Sequence, residues 1–270
     1  EAHLARLLLG SCKQIEENRN GFFRNLLQAP IEHEAIQTGI RNLANFQKFL
    51  TVLSSRIGQE FQLNTVAAEA SVAAQIAKQW LSVAESAGVI SRYSIPGETV
   101  VKRPKLFFTD TGFAAWLCKI PSAETLSKVY NSGSFFENFV IMEILKSWIH
   151  NGEEPHFYYY RDSDSMKIDL LIFNGTHYHP IDIKTTESPQ ASMIEAFDCI
   201  KGNTVKRGCG ALICMVPRAR YLSSDVVALS VGDGENIAPG VVGIFCRQVA
   251  VFVRQPDDVP LQVPDQRIPH

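Results

Sequence analysis

Apolar residues recur every three or four positions along much of the first half of the chain. The spacing is clearest over residues 39–59, where it predicts one amphipathic helix. The apolar positions of that helix are Ile40, Leu43, Phe46, Leu50, Leu53 and Ile57. Residues 1–60 are predicted to be mostly helical, with breaks near 18–21 and 29–30.

The following stretch changes from a helical to a strand pattern. It predicts helices over 64–70 and 73–87, the second ended by Gly88, and strands over 89–95 and 100–108 joined by Pro96-Gly97. Helix, turn, helix and β-hairpin in this order is the layout of a winged helix-turn-helix. We therefore predict a helical and winged-helix domain over residues 1–120.

The second half combines helices with strands, which predicts a domain over residues 121–270 with a central mixed sheet. The predicted fold class of the whole chain is therefore mixed α/β. The predicted helices cover 135–150 and 192–201, and the predicted strands cover 157–160, 168–173, 177–184, 210–216 and 241–253.

One predicted strand, HYHPIDIKTT, carries charged residues among apolar ones. Side chains alternate between the two faces of a strand, so Asp182 and Lys184 share one face. Ile181 and Ile183 take the other face, which reads as core. The charged face is therefore either exposed to water or part of a site.

The preceding hairpin adds a second acid to the charged face. Asn174-Gly175 indicates a two-residue type I′ turn, which sets Asp169 opposite Pro180 and makes Asp182 its diagonal neighbour at about 7–8 Å. Two carboxylates can hold a hard cation such as Mg²⁺, for which Mn²⁺ can substitute. Lys184 could then orient a water or stabilise charge on a phosphoryl oxygen. The alternative is a structural ion pair.

A third acid, Glu137, lies on the core-facing side of the helix predicted over 135–150. It shares that side with Ile141, Ile144 and Trp148, and a buried acid needs a partner. One interpretation places Glu137 in the acidic site. The other is a capping box, in which Glu137 bonds the backbone N–H of Ser134.

Composition and charge exclude several classes of protein. The 270 residues are 46% hydrophobic and 20% charged, which is typical of a globular chain. Of the 26 basic and 28 acidic residues, 13 and 10 fall in residues 1–120, giving +3, and 13 and 18 in residues 121–270, giving −5. Six scattered cysteines without a C-x-x-C pair, and no apolar run of membrane-spanning length, predict a reduced, cytoplasmic protein without a membrane partner.

Four sequence runs together carry a family resemblance: RPKLFFTDTGFAAWL, SFFENFVIMEIL, FYYYRDSDSMKIDLLI and PIDIKT. With Glu137 on a leading helix, Asp169 on one strand and Asp182-Ile-Lys184 on the next, they resemble the PD-(D/E)xK nuclease-like fold. They also resemble a domain of unknown function that follows the ATPase core in bacterial and archaeal AAA-type ATPases. The KLFFTDTG and FFENFV strings are specific, whereas the pattern of two aspartates and a lysine alone is weak.

The resemblance implies a winged helix followed by a restriction-endonuclease-like α/β domain, with an AAA-type ATPase core as partner. The chain contains no G-x-x-x-x-G-K-[ST] loop, so we expect no ATP hydrolysis by this chain alone. Two features depart from the family pattern. Lys167 and Ile168 precede Asp169, where the family often has an acid two residues earlier, and Asp182 stands where glutamate is more common.

These observations lead to two hypotheses of function. The first is a DNA-associated module that hydrolyses phosphodiester bonds, in which Asp169 and Asp182 bind Mg²⁺, Lys184 orients the attacking water and Glu137 supports the metal through water. The second is a non-catalytic regulatory or protein-interaction module with a vestigial nuclease fold.

Contacts to duplex DNA are expected from the winged helix-turn-helix. The candidate residues are Lys78, Gln79, Arg92, Lys102 and Arg103, with Lys105 as a further wing residue. On the helix predicted over 73–87, only one of the residues predicted to be exposed is basic, which is few for a helix that reads DNA bases, so docking onto a protein is the alternative. These residues are Gln75, Lys78, Gln79, Ser82 and Glu85. His177 and His179 share a strand face without an evident third ligand, and we expect both to be exposed at the hairpin tip.

Overall fold

The computed structural model describes residues 13–93, 104–152, 154, 156–161, 166–200 and 206–231. They form two compact units, one comprising 13–93 and 104–142 and the other the described residues from 143 onward. The first unit is mainly helical and the second is built on a seven-stranded sheet, so the predicted mixed α/β class is confirmed. The strand predicted over 241–253 lies outside the described residues.

The first helix is interrupted at the positions where the sequence predicts breaks. Helix α1 (Lys13–Leu26) has a kink at Asn18, whose φ of −126° and ψ of 28° are not helical. It continues into a π-helical turn (Leu27–Ile31) and then α2 (Glu32–Gln37). Pro30 lies in the π-helical turn, where its missing N–H removes one helical hydrogen bond.

Three further helices and a β-hairpin follow in the order predicted for a winged helix-turn-helix. The two strands are antiparallel, with Ile90 opposite Phe108. Trp80 packs edge-on against Phe46 and Phe49, with ring centroids 5.8 and 5.6 Å apart, and so belongs to the core as predicted. The elements are α3 (Leu43–Ser55), α4 (Leu63–Ala70), α5 (Ala74–Ser86), β1 (Ile90–Tyr93) and β2 (Lys105–Phe108).

Three more α-helices follow in the described residues: α6 (Thr111–Leu117), α7 (Ala123–Lys128) and α8 (Ser132–His150). Helix α8 begins three residues before the start that its sequence pattern predicts. Its residues up to Met142 belong to the first unit and those from Glu143 to the second. None of the helices in the described residues is long and apolar enough to cross a membrane.

Seven strands form the sheet of the second unit: β3 (Phe157–Arg161), β4 (Lys167–Phe173), β5 (His177–Ile183), β6 (Lys206–Arg207), β7 (Gly210–Cys214), β8 (Arg220–Tyr221) and β9 (Val226–Ser230). Their order across the sheet is β3-β4-β5-β7-β9-β8, with β6 also pairing with β5. Strands β3, β4 and β5 are antiparallel, β5, β7 and β9 are parallel, and β8 returns antiparallel to β9.

Both faces of the sheet are buried. Leu170 and Ile181 lie on the face predicted to be core, and both are buried. The opposite face is covered by the segment Ala191–Cys199, whose Ile194 and Phe197 join one hydrophobic cluster with the sheet. The sequence predicts a helix over 192–201, and the segment is helical, as a 3₁₀-helix over Ala191–Cys199.

The register of the β4–β5 hairpin differs by two residues from the predicted one. Phe173 is paired with Tyr178 rather than with Thr176, and Gly175 has a φ of +99° at the turn. The Asn174 side-chain oxygen accepts hydrogen bonds from the backbone N–H groups of Thr176 and His177, at 3.0 and 2.8 Å. This side-chain cap moves the turn one residue along the chain, and the two-residue change of register keeps every side chain on its predicted face.

Candidate functional site

Asp169 and Asp182 lie directly across the hairpin from one another. Leu170 pairs with Ile181, so the next step of the same register sets Asp169 opposite Asp182, not opposite Pro180 as predicted. Both carboxylates are buried, with side-chain exposures of 1% and 5%. The structure therefore brings the two predicted acids closer together than the predicted diagonal arrangement does.

Asp169 is held at both of its carboxylate oxygens. Its Oδ1 accepts from the Lys167 amino group at 3.1 Å, and its Oδ2 accepts from the backbone N–H of Ile183 at 3.1 Å. Lys167 was not among the predicted site residues. The sequence nevertheless indicates its position, because side chains two residues apart, here 167 and 169, lie on the same face of a strand.

Asp182 is less completely satisfied than Asp169. Its Oδ2 lies 2.6 Å from the Lys184 amino group, whereas its Oδ1 is buried and has no hydrogen-bond partner in the described part of the chain. Burial above all, then the neighbouring Asp169, raise the pKa of Asp182 from 3.8 to about 7, against the opposing effect of Lys184. At neutral pH this carboxylate therefore lacks enough positive charge or hydrogen-bond donors around it.

Lys184 connects the buried pair with solvent. Its amino group lies 2.6 Å from Asp182 Oδ2 and 3.7 Å from Asp169 Oδ2, and its side chain is 34% exposed. The backbone N–H of Lys184 donates to the carbonyl of Ile213 on β7 at 3.0 Å. The site thus lies at the carboxyl ends of the parallel strands, which is where ligands usually bind in α/β sheets.

The residues present fit a single hard cation with a partly aqueous shell. Mg²⁺ is commonly bound through one or two carboxylates and several waters, and Asp182 Oδ1 is a buried oxygen that such an ion would satisfy. Within the described residues no group of three or more His, Cys, Asp or Glu side chains could hold a metal ion. Any cation here would accordingly depend on Asp169 and Asp182 for its protein ligands.

Glu137 makes a different contact. Its Oε1 accepts from the Lys105 amino group at 2.6 Å, and both side chains are only 10% exposed. Lys105, which we expected to contact phosphate on the wing, is therefore buried in an ion pair. Ser134 lies within α8, which begins at Ser132, so it is not the N-cap residue that the capping box requires. The catalytic role of Glu137 stays a prediction.

The neighbouring Asn138 joins α8 to β2. It is fully buried, accepts from the backbone N–H of Phe108 at 2.8 Å and donates to the Phe108 carbonyl at 2.9 Å and to Thr111 Oγ1 at 2.8 Å. The FFENFV and KLFFTDTG strings therefore contact each other through both Glu137–Lys105 and Asn138–Phe108. The two strings most specific to the resemblance serve packing and hydrogen bonding in the first unit.

Of the residues predicted to contact DNA, some already contact other groups of the protein. Lys78 is exposed on α5. The Gln79 amide donates to the Thr38 carbonyl at 3.3 Å, and Arg92 forms a bidentate ion pair with Glu85. Lys102 and Arg103 lie outside the described residues. The structure therefore brings no basic cluster together from the described members of this set.

His179 is buried, which contradicts the expected exposure at the hairpin tip. Its Nε2 accepts from the Asn174 amide at 2.9 Å, and its Nδ1 donates to the Cys209 carbonyl at 3.1 Å. The reason is the same displaced turn, because Asn174 folds back over the hairpin and covers the imidazole. His177 is half-buried and lies beside Thr176.

Two family models match adjacent parts of the chain. Residues 132–232 match a Domain of unknown function (DUF4143), and residues 12–124 match a second Domain of unknown function (DUF8612). The first is commonly associated with AAA-type ATPases. No curated protein and no solved structure matches the chain. The resemblance to an AAA-associated domain of unknown function is thus confirmed for residues 132–232, whereas the nuclease-like character stays a prediction.

Proposed function

We propose that the second unit binds Mg²⁺ and hydrolyses phosphodiester bonds, as a DNA-associated module of an AAA-type ATPase system. The observation that carries this proposal is the incomplete hydrogen bonding of the buried Asp182 carboxylate. One of its oxygens is buried without a hydrogen-bond partner in the described residues, beside a second buried carboxylate. Such a pair is costly for the fold in the absence of a cation, and an Mg²⁺ ion removes that cost.

Each residue of the site has a role that follows from its contacts. A bound Mg²⁺ supplies Lewis acidity toward a phosphoryl oxygen. Asp169 and Asp182 hold the ion, with Asp169 fixed in orientation by the Ile183 N–H. Lys184, which is partly exposed beside both acids, orients the attacking water and donates a hydrogen bond to the negative charge that develops in the transition state.

Lys167, the second lysine beside the two acids, contributes to phosphate binding and not to the chemical step. The Lys167 side chain is 53% exposed while its amino group contacts Asp169. It lies on the same strand face as the two acids and offers a positive charge to a phosphate next to the scissile bond. On the first unit, Lys78 of α5 provides a further phosphate contact.

DNA cleavage with matched lysine variants tests this proposal. Supercoiled and linear duplex DNA are incubated with the protein and Mg²⁺ or Mn²⁺, and nicking and linearisation are measured over time. Lys184→Ala and Asp182→Asn are expected to lose metal-dependent cutting. Lys206→Ala, which removes an exposed lysine from β6 of the same sheet, is expected to retain it.

Calorimetric titration with Mn²⁺ gives a second readout that does not require turnover. The intact protein is expected to bind about one Mn²⁺ ion, and Asp182→Asn is expected to bind none. Cutting that survives in both site variants would assign the activity elsewhere. If the intact protein neither cuts DNA nor binds Mn²⁺, the catalytic proposal is refuted.

A second candidate function is a non-catalytic regulatory or interaction module beside an AAA-type ATPase core. The observation that favours it is the contact of a lysine amino group with each aspartate, at 3.1 Å for Lys167–Asp169 and 2.6 Å for Lys184–Asp182. In this function the two lysines partly offset the charge of the two aspartates in place of a metal ion. This function predicts that Lys184→Ala lowers stability while the protein binds no Mn²⁺.

A further inference from the structure

A cavity of about 540 Å³ lies in the first unit, remote in sequence from the paired aspartates. It is bounded by α1, by α3 and by the segment that follows α6. This volume falls within the range of small-molecule sites. Polar side chains contribute much of its lining: Asn18, Arg19, Asn20, Gln47, Thr51 and Lys119.

Arg19 is the unusual member of this lining, because its charge is buried and incompletely paired. The side chain is part of a residue that is only 9% exposed. Its Nη1 donates to the Ile120 carbonyl at 2.7 Å, whereas Nε and Nη2 have no hydrogen-bond partner in the described residues. A buried guanidinium with two unused donors is destabilising unless an acceptor is supplied.

The protein supplies little negative charge to compensate Arg19. No acidic side chain is among the described residues that line the cavity. Asp110 attracts Arg19, but its Oδ1 already caps α6 by accepting from the Phe113 N–H at 2.7 Å. The nearby Glu32 accepts from the Gln47 amide at 2.6 Å. The described lining of the cavity therefore carries positive charge and no negative charge.

Lys119 brings a second positive charge to the same cavity. It follows α6 with a φ of +57°, in the left-handed region that glycine usually occupies after a helix. The Lys119 side chain is exposed at the cavity, so a ligand can reach it from solvent. Arg19 and Lys119 together offer one buried guanidinium group and one exposed ammonium group.

We propose that this cavity binds a small phosphate-bearing molecule, with Arg19 and Lys119 holding the phosphate group. A guanidinium is well suited to paired hydrogen bonds with phosphate oxygens, and an ammonium group binds them as a point charge. Because Nε and Nη2 are shielded from water, the Arg19 side chain rotates toward the cavity when the ligand binds. The Asn18 and Asn20 amides provide further donors at the rim.

Thermal unfolding with two phosphate probes tests the proposal on the whole chain. Inorganic phosphate and AMP are each titrated, with sodium chloride at matched ionic strength and adenosine as controls. Both phosphate probes are expected to raise the melting temperature saturably, and chloride and adenosine are not. AMP binding more tightly than phosphate would indicate a nucleotide ligand, and equal binding would indicate the free anion, either of which supports the site.

Three variants locate the effect. Arg19→Met keeps an unbranched apolar side chain in place of the arginine stem, without the charge, and is expected to lose the phosphate-induced shift. Lys119→Ala, at an exposed position, is expected to weaken phosphate binding about tenfold, the loss of one charge-assisted contact. Lys128→Ala removes an exposed lysine on α7 and is expected to bind phosphate as the intact protein does.

The proposal is overturned if neither probe shifts the melting temperature of the intact protein. It is also overturned if the shift is the same in Lys119→Ala as in Lys128→Ala, because binding then occurs elsewhere. This second comparison decides the matter even if Arg19→Met does not fold.

Discussion

Replacing Asp182 with asparagine should stabilise the metal-free protein at pH 8. Burial and Asp169 raise the pKa of Asp182 from 3.8 to about 7, and each pKa unit corresponds to ~1.4 kcal/mol. Ionised Asp182 therefore costs the fold about 4 kcal/mol. This cost is already net of the favourable Lys184 ion pair, which is among the causes that set the pKa of Asp182. The expected gain is therefore up to about 4 kcal/mol.

The sign of the pH dependence follows from the same shift. The folded state holds the Asp182 proton up to a higher pH than the unfolded chain does, so it binds more protons between about pH 4 and pH 7. The free energy of unfolding of the intact protein should therefore fall as the pH rises through this window and level off above it. The free energy of unfolding of Asp182→Asn should not show the decrease that ionisation of Asp182 causes.

Urea denaturation in EDTA at pH 5 and pH 8 measures both effects. The matched control is Asp198→Asn, an aspartate of the same unit whose side chain is 69% exposed, and its stability should stay within about 0.5 kcal/mol of the intact protein. An Asp182→Asn variant that is less stable than the intact protein at pH 8 would refute the reasoning. The lysines would then more than offset the burial of the two aspartates.

Three further predictions concern the stability of the fold. Asn138→Ala should lower the free energy of unfolding by about 2–4 kcal/mol, because it leaves the buried Phe108 N–H and carbonyl without their partner; an exposed Phe108 amide in hydrogen exchange would confirm the cause. Glu137→Gln should cost about 3 kcal/mol because it removes the negative charge from the buried Lys105–Glu137 ion pair, and a second change of Lys105 to methionine should recover most of the loss in urea denaturation. Gly175→Ala should cost about 1 kcal/mol, because alanine is strained at a φ of +99°, and a melting temperature equal to that of the intact protein would contradict this account.

Periodic patterns predicted the elements that depend on local sequence. The helix–turn–helix–hairpin order and the faces of β4 and β5 are as predicted, because each follows from spacings of two or three to four residues. The hairpin register was wrong because Asn174 caps the turn with its side chain, and turn chemistry of this kind competes with the simple two-residue loop. The error left Asp169 and Asp182 on one face because it amounted to an even number of residues.

The long-range partners of charged residues could not be predicted from spacing. Lys105 is 32 residues from Glu137 in the chain, and nothing in the pattern of β2 indicates that its lysine points inward. The burial of His179 likewise depends on Asn174 and on Cys209, which is 30 residues away. Lys167 was within reach of the strand alternation, but its position was interpreted only as a departure from the family pattern.

The hydrogen bonds of Asn138 have a consequence for how the chain can be divided. One family match begins at residue 132 and the other ends at residue 124. The matches alone would therefore place a domain border between residues 124 and 132. Asn138 and Glu137 nevertheless complete the unit that contains Phe108 and Lys105. A fragment that starts at residue 132 would therefore contain Asn138 without Phe108 and Glu137 without Lys105, their hydrogen-bond partners in the intact chain. The family match that begins at residue 132 therefore starts inside the first compact unit and not at its end.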